Sequence, residues 1–440
     1  MKYLAVLGRQ PEISIVELEA MTGIEWCKIS FSGRVARARR HGASALILAL
    51  PRSEIPSKDI LAPLDIDRLG GTLKLAIEIE QKPLEYLKNL PEGKITLGVS
   101  DYSKNASRKS ALDEALKLKK ILVRQGRSVR VVENHEAVLS TATSLHNGLN
   151  GKNERKVELI KTDEGWYRVV GVQDIEAYAR RDQARPARDA KVGMLPPKLA
   201  QILINLCGPL EPGATVLDPF CGTGVVLQEA ILMGYRAYGT DVSERMVEYS
   251  KKNLEWLEKY KTIQFEEVRS LARRGQAPAG RGPRMNSFEI SQGDATSFQW
   301  EQPIDAVACE GYLGKPFSKI PTEMELKEQQ QECGAIVVGF LKNLAKQIKS
   351  GTPVVIAVPA WLREDGTYER LKILDRLGSS SEEKRSFASE TTKSGQLFSQ
   401  KKVDEIDKLG YNVNNKTREG LLYHRDGQVV ARDILILRKK

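Results

Sequence analysis

Cysteine is scarce, with five in 440 residues, at Cys27, Cys207, Cys221, Cys309 and Cys333. Their number is odd and no two form a C-x-x-C pair, so neither a disulfide framework nor a zinc spacing is indicated, and no metal site is expected. Cys221 falls in a tight turn, where it reads as a small packing residue rather than a nucleophile. Long apolar runs are missing too. The longest, Ala43 to Leu50 and Val354 to Leu362, fall well short of the roughly 20 residues that a membrane-spanning helix needs. The stretch from Met1 to Arg9 is too briefly hydrophobic for a secretory signal. A cytoplasmic chain with no membrane partner is therefore expected. Two nucleotide signatures are also absent: the G-x-G-x-x-G dinucleotide fingerprint and an S-G-G-x-D-S run for ATP.

What is present suits a globular chain, at 41% hydrophobic and 28% charged residues. Its length predicts two to three domains. The net charge of +11 and pI near 9.2 point to a polyanionic partner.

The most informative stretch is Thr215-Val216-Leu217-Asp218-Pro219-Phe220-Cys221-Gly222-Thr223-Gly224, followed by Val225 to Ala230. An apolar β-type run ends in an acid, crosses a glycine turn and opens an amphipathic helix, the first unit of a Rossmann-like nucleotide site. A pyrophosphate would want bare backbone N–H groups at the helix start. An acid there suits a cationic ligand instead, and Gly222 and Gly224 let backbone come close to it. S-adenosylmethionine (SAM) carries an ammonium, a carboxylate and a sulfonium, and no phosphate. Asp241 ends the next expected strand, Tyr235 to Asp241, where an acid can accept from both ribose hydroxyls. Two plainer readings stay open: a cofactor-free strand-to-helix turn, and an Asp241 that only caps the following helix.

The remaining chain reads as an α+β half followed by an α/β half. Tyr3 to Gly8 predicts a strand, and Pro11 to Ala20 a helix closed by Gly23. Alternating runs follow around Val35, from Ala45 to Leu50 and from Gly71 to Ile79. Ile95 to Ser100 predicts a strand, and Ser110 to Gln125 a Lys-rich helix with Leu112, Ala115, Leu116, Lys119 and Leu122 at helical spacing. Ser128 to Val132 is a further strand, Leu139 to Leu149 a helix, and Val157–Ile160 with Trp166–Val172 a hairpin. In the second half, Ser243 starts a helix expected to reach Tyr260. Arg269 to Arg284, with Arg273, Arg274, Arg281 and Arg284, reads as an inserted Gly/Pro/Arg-rich loop, either solvated or touching RNA phosphates. Phe288 to Ala295 and Ile304 to Cys309 are strands three and four, Pro353 to Ala360 a later one, and Ser379 to Lys402 has too little apolar content to pack independently.

These motifs carry a resemblance. Asp218 to Gly224 resembles the first motif of SAM-dependent amino-methyltransferases acting on nucleic acids. Arg130, Leu139-Ser140-Thr141-Ala142 and the hairpin look like a THUMP domain of tRNA-modifying enzymes. Leu7 to Glu12 and Leu69 to Thr72 look similar to its ferredoxin-like companion. The whole is similar to the THUMP-containing tRNA guanosine N2-methyltransferases. The resemblance implies a ferredoxin-like domain at 1–80, a THUMP-like RNA-binding domain at 81–173, a linker at 174–198 and a Rossmann-like methyltransferase domain at 199–440. Met194 to Lys198 resembles the segment that touches the methionine end of SAM. Asp218, Phe220, Cys221, Gly222, Thr223, Gly224 and Asp241 would hold the cofactor, and Asp294 and Ala295 its adenine edge. Lys109, Lys117, Lys119, Arg127, Arg130 and Arg185 would contact tRNA, although the bridge Asp174 to Lys198 reads equally well as a solvated linker with internal ion pairs. A monomer is the working assumption.

The family usually ends strand four in D/N-P-P-aromatic, where acceptors orient an exocyclic amine and an aromatic side chain stacks on the flipped base. This chain has Glu310-Gly311-Tyr312-Leu313. The expectation is that Glu310 and the Gly311 carbonyl orient the amine while Tyr312 packs on the base. A methyltransferase for adenine or cytosine amino groups remains an alternative, as does a non-catalytic tRNA-binding protein that retains the SAM fold.

Overall fold

The computed structural model describes residues 2–29, 48–51, 65–189, 194–273, 288–373 and 405–440. The run around Val35, the cations Arg274, Arg281 and Arg284 and the segment 379–402 lie outside them. The chain divides into two compact units, Met1–Ala184 and Arg185–Lys440.

In the first unit, alternating apolar runs give β1 (Tyr3–Leu7), β2 (Trp26–Ile29), β3 (Leu48–Pro51), β4 (Thr72–Glu78), β5 (Ile95–Asp101), β6 (Val129–Val131), β7 (Lys156–Lys161) and β8 (Trp166–Val172). The helices are α1 (Pro11–Thr22), α2 (Pro83–Lys88), α3 (Arg108–Arg124), α4 (Thr141–His146) and α5 (Ile175–Gln183). Among the described residues the strands form one sheet, in the order β2-β3-β1-β4-β8-β7-β5-β6. β4 pairs β8 antiparallel, so the sheet runs through both 1–80 and 81–173. The buried face of α3 is Ala111, Ala115, Leu118 and Leu122, an unbroken i, i+4, i+7, i+11 stripe. Leu116, expected inside, is 44% exposed. Helix α4 is shorter than the expected 139–149. Ser140 accepts the Thr143 N–H as its N-cap, and Gly148 takes a left-handed φ of 69° just beyond its end. Leu139 precedes that helix as a buried plug.

A buried polar cluster ties this unit together. Lys74 Nζ on β4 donates to Glu158 Oε1 on β7 at 2.6 Å, to Ser144 Oγ at 2.8 Å and to the Leu139 carbonyl at 2.8 Å. Ser100 and Ser144 hydroxyls donate to the same carboxylate. Burial pulls the Lys74 pKa down, and Glu158 opposes that pull. The pair holds because every charged atom has a partner.

The second unit carries α6 (Pro197–Asn205), β9 (Thr215–Asp218), α7 (Val225–Leu232), β10 (Arg236–Asp241), α8 (Glu244–Arg273), β11 (Phe288–Gln292), β12 (Ala306–Glu310), α9 (Glu323–Leu344), β13 (Pro353–Leu362), β14 (Tyr368–Arg370), α10 (Glu405–Lys408), β15 (Tyr411–Val413), α11 (Asn415–Glu419), β16 (Leu422–Tyr423) and β17 (Val430–Lys439). The sheet order is β11-β10-β9-β12-β13-β17-β15, with β14 on β13 and β16 on β17. Strands β9 to β13 pair in parallel, whereas β17 and β15 are antiparallel. This is a Rossmann-like α/β sheet whose direction of winding reverses between β9 and β12. In such sheets ligands sit at the C-terminal strand ends beside that reversal. Helix α8 runs well past the expected end at Tyr260, because no Gly or Pro interrupts the chain before Gly275. Arg269 to Arg273 are therefore helical rather than part of a loop.

The unit boundary falls inside the segment expected to be a linker. Residues 175–183 are helical, and from Arg185 the chain packs into the second unit: Ala187 exchanges hydrogen bonds with the Asn253 side chain, and Arg245 pairs with Asp189 at 2.8 Å.

Candidate active site

The ends of β9, β10 and β12 bring three acids together. Asp218 closes β9, is 2% exposed and accepts the Phe220 N–H at 3.1 Å. Burial pushes its carboxyl well above the usual carboxylate range. The Phe220 N–H opposes that shift, and the nearby charges of Asp241 and Glu310 add to it. Asp241 closes β10 and bridges two backbone donors, Gly222 N–H at 2.9 Å and Ser243 N–H at 2.9 Å. Burial raises its pKa as well, against those two hydrogen bonds. Glu310 closes β12, and its Oε1 accepts from Arg432 Nε on β17 at 2.5 Å. Arg432 is 7% exposed.

Between the first two acids runs the glycine turn, whose shape has identifiable causes. Gly222 has φ 50° and no atom within 3.4 Å of where a Cβ would sit. Gly224 has φ 81°, and a Cβ there would lie 2.9 Å from Ser250 Oγ. Its small size thus serves the close approach of α8 rather than of a ligand. Ser250 Oγ donates to the Gly222 carbonyl, and Asn253 Nδ2 to the Thr223 carbonyl, both at 2.8 Å. Cys221 is buried under Ser250. Burial and then the Asp218 charge hold its thiol well above the ordinary range, which makes it a packing group. Phe220 packs edge-on against Phe340 at 5.2 Å between centroids.

Arg185 requires a correction. Expected to contact RNA, it is 3% exposed, and its guanidinium donates to Thr223 Oγ1 at 3.2 Å and reaches Met194 Sδ at 3.6 Å. It pins the segment before α6 to the cofactor-type turn. Arg127 is likewise occupied, donating to the backbone carbonyls of Leu90, Pro91 and Gly93. Arg130 is exposed and bonds Asn147. Lys109 and Lys117 are exposed, and Lys119 is half-buried.

On the β11 side, the carboxylate of exposed Asp294 accepts from the backbone N–H and hydroxyl of Thr296, both at 2.8 Å, and Ala295 is buried. On the β12 side, the Gly311 N–H donates to the Ala357 carbonyl at 2.9 Å. Tyr312 packs on the core beneath α9, and burial followed by the Glu332 carboxylate raises its pKa.

With this geometry in view, comparison with known proteins is specific over the same residues. Residues 185–329 match the RMKL-like, methyltransferase domain family. The tRNA (guanine(10)-N2)-dimethyltransferase of Methanothermobacter thermautotrophicus is 46% identical over 94 residues, covering 21% of this chain and 27% of the relative. That of Methanocaldococcus jannaschii is 26% identical over 256 residues, 56% of this chain and 69% of the relative. The aligned parts of the first two relatives, the second from Pyrococcus abyssi, span 27% and 18% of their lengths. The crystal structure of TrmN from Thermus thermophilus is 16% identical with a TM-score of 0.39, each chain covered fully.

The matched segment fits SAM better than a phosphate cofactor. Gly222 N–H already serves Asp241, and two carboxylates flank the turn, an arrangement that repels phosphate and attracts a cation. Among the described residues the Asp218 carboxylate accepts one hydrogen bond, which leaves acceptor capacity for an ammonium. Sequence reasoning missed four contributors here: Ser250 and Asn253, which lock the turn; Val242, whose apolar side chain is 68% exposed beside Asp241; and Arg432. Val242 carries a local signal, as an exposed apolar residue directly after the strand-ending acid. The other three have none, because they come from distant elements. No helix among the described residues is long and apolar enough to cross a membrane.

Proposed function

We propose that the chain transfers methyl groups from SAM to the exocyclic N2 of a guanosine in tRNA. The observation that carries this reading is the matched methyltransferase segment together with relatives named for the guanine N2 position. When bound, SAM supplies a methyl group on a cationic sulfonium. In this reading Asp218 and the Gly222–Gly224 turn hold the methionine end. Asp241 holds the ribose hydroxyls, and Val242, Asp294 and Ala295 border the adenine. Glu310 and the Gly311 carbonyl accept from the N2 hydrogens, drawing the nitrogen lone pair out of the ring. Tyr312 flanks the base, and the surplus amine proton leaves to solvent after transfer. The first unit, read as ferredoxin-like and THUMP-like segments on one sheet, engages tRNA through Lys109, Lys117, Lys119 and Arg130.

The test is incubation of the full chain with a tRNA transcript bearing guanosine at position 10 and labelled SAM, followed by digestion to nucleosides. N2-methylguanosine or its dimethyl form is expected. Label appearing only in methylated adenosine or cytidine, or no transfer to any tRNA while SAM binds, refutes the reading.

A further inference from the structure

Arg432 lies two strands from Glu310 and two residues beyond it in register. Glu310 pairs with Ala357 on β13, whereas Arg432 pairs with Pro359. That places Arg432 past the C-terminal end of β12, on the side where a substrate must approach the acids. Its Nε holds Glu310 Oε1, and among the described residues this is its one side-chain partner. The two Nη groups therefore keep four N–H donors without an acceptor among the described residues, with the side chain 9% exposed. Among the described residues Glu310 Oε2 is equally without a donor, its side chain 18% exposed. The pair thus carries two carboxylate oxygens next to spare guanidinium N–H groups.

Guanine carries the complement along one edge: N2–H donor, N1–H donor, O6 acceptor. Adenine offers an amino donor beside a bare N1 acceptor, and cytosine an amino donor beside a bare N3 acceptor. Neither can meet the second carboxylate oxygen and the guanidinium together. We propose that Arg432 is the residue that reads guanine, donating from Nη to O6 while Glu310 takes N1–H and N2–H. This rests on the reading of the reaction as guanine N2 methylation. The guanidinium carries Nε–H and Nη–H in one plane, so Nε can hold Glu310 while Nη donates to O6, which a lysine ammonium does not reproduce.

The test uses two tRNA transcripts, with guanosine or 2-aminopurine ribonucleoside at position 10. Both offer the N2 amine, but 2-aminopurine lacks O6 and the N1 hydrogen. The readout is the ratio of single-turnover rates on the two transcripts, which is insensitive to how much of a variant is folded. Wild type is expected to favour guanosine by about ten- to a hundredfold, the range for one well-formed bidentate base contact. Arg432→Gln and Arg432→Lys should each lower that ratio by about tenfold or more. The lysine variant keeps a cation beside Glu310, so its loss of ratio is not a folding effect. Equal slowing on both transcripts, with the ratio unchanged, would overturn the role of Arg432 and leave the reaction standing. A wild type that methylates neither transcript would overturn the reaction, and the inference with it.

Discussion

Replacing Asp218 with Asn separates what this carboxylate does for a ligand from what it costs the fold. The amide oxygen can still accept the Phe220 N–H, now made at 3.1 Å, so the turn should keep its shape. What disappears is one negative charge, 2% exposed and close to two other acids. A hydrogen bond to a charged partner is worth roughly 1.5–3 kcal/mol. At about 1.4 kcal/mol per tenfold, SAM or its demethylated product should bind roughly ten- to a hundredfold more weakly. Stability should move the other way. The folded-state pKa of Asp218 lies above its ordinary value of 3.8, chiefly through burial, so the native state holds this proton to higher pH than the unfolded chain does. The stability tied to this group is therefore present below about pH 4 and is lost as pH rises through the folded pKa. Above the folded pKa the ionised side chain burdens the ligand-free protein, and below it the proton is retained, so in either state the Asn variant should melt at the same temperature or higher. Titration calorimetry and thermal unfolding, with and without the demethylated product, measure both arms. Affinity within threefold of wild type, or a ligand-free melting point lowered by several degrees, would refute the assignment of Asp218 as a cation-binding carboxylate.

The two turn glycines should differ. Gly224→Ala meets Ser250 at 2.9 Å as well as a left-handed backbone, and should lower the second unit's melting temperature more than Gly222→Ala, which faces only the roughly 1–2 kcal/mol conformational term. In the first unit, Lys74→Met strands the Glu158 carboxylate and Glu158→Gln the Lys74 ammonium; each should cost about 3–5 kcal/mol in urea unfolding, with the double change costing less than the sum. Arg127→Ala should reduce the first unit's stability by about 1–3 kcal/mol, because its guanidinium serves backbone carbonyls. By contrast, Lys109→Ala or Lys117→Ala should leave stability unchanged and flatten the salt dependence of tRNA binding by roughly one unit of slope each.

The parts of this protein that were legible in its sequence are those whose signal is local. Asp218 to Gly224 announces a strand, a turn and a helix within ten residues, because φ, burial and charge must change there in a fixed order. The hairpin β7–β8 is equally local, with Thr162 accepting the Gly165 N–H to close it. Arg185 misled because its neighbours Arg180, Arg181 and Arg188 make a surface-like charge pattern, while its partner Thr223 lies 38 positions away. The register of α3 slipped for a related reason. Leu112 and Leu116 look like core residues, yet the small Ala111 and Ala115 are what the sheet can accept at close range.

The turn after β12 shows why local rules alone leave the site incomplete. In Glu310-Gly311-Tyr312 the two prolines that would stiffen the backbone are missing, and by itself the sequence suggests a looser site. Here the structure supplies rigidity from outside the turn. Gly311 N–H is tied to the Ala357 carbonyl, and a Cβ at Gly311 would lie 3.1 Å from Ile356 Cδ1, so the backbone rests directly on β13. Glu310 is held by Arg432, from a strand 122 residues further on. In the stretch Val430-Ala431-Arg432-Asp433-Ile434-Leu435 the charged pair looks like an interruption of a core strand, yet both charges are answered. Arg432 meets Glu310, and Asp433 meets Arg370 at 3.5 Å. A side chain this buried is retained against its desolvation cost only where its partners satisfy it. At Arg432 the one side-chain partner among the described residues takes Nε alone, which leaves the Nη donors over.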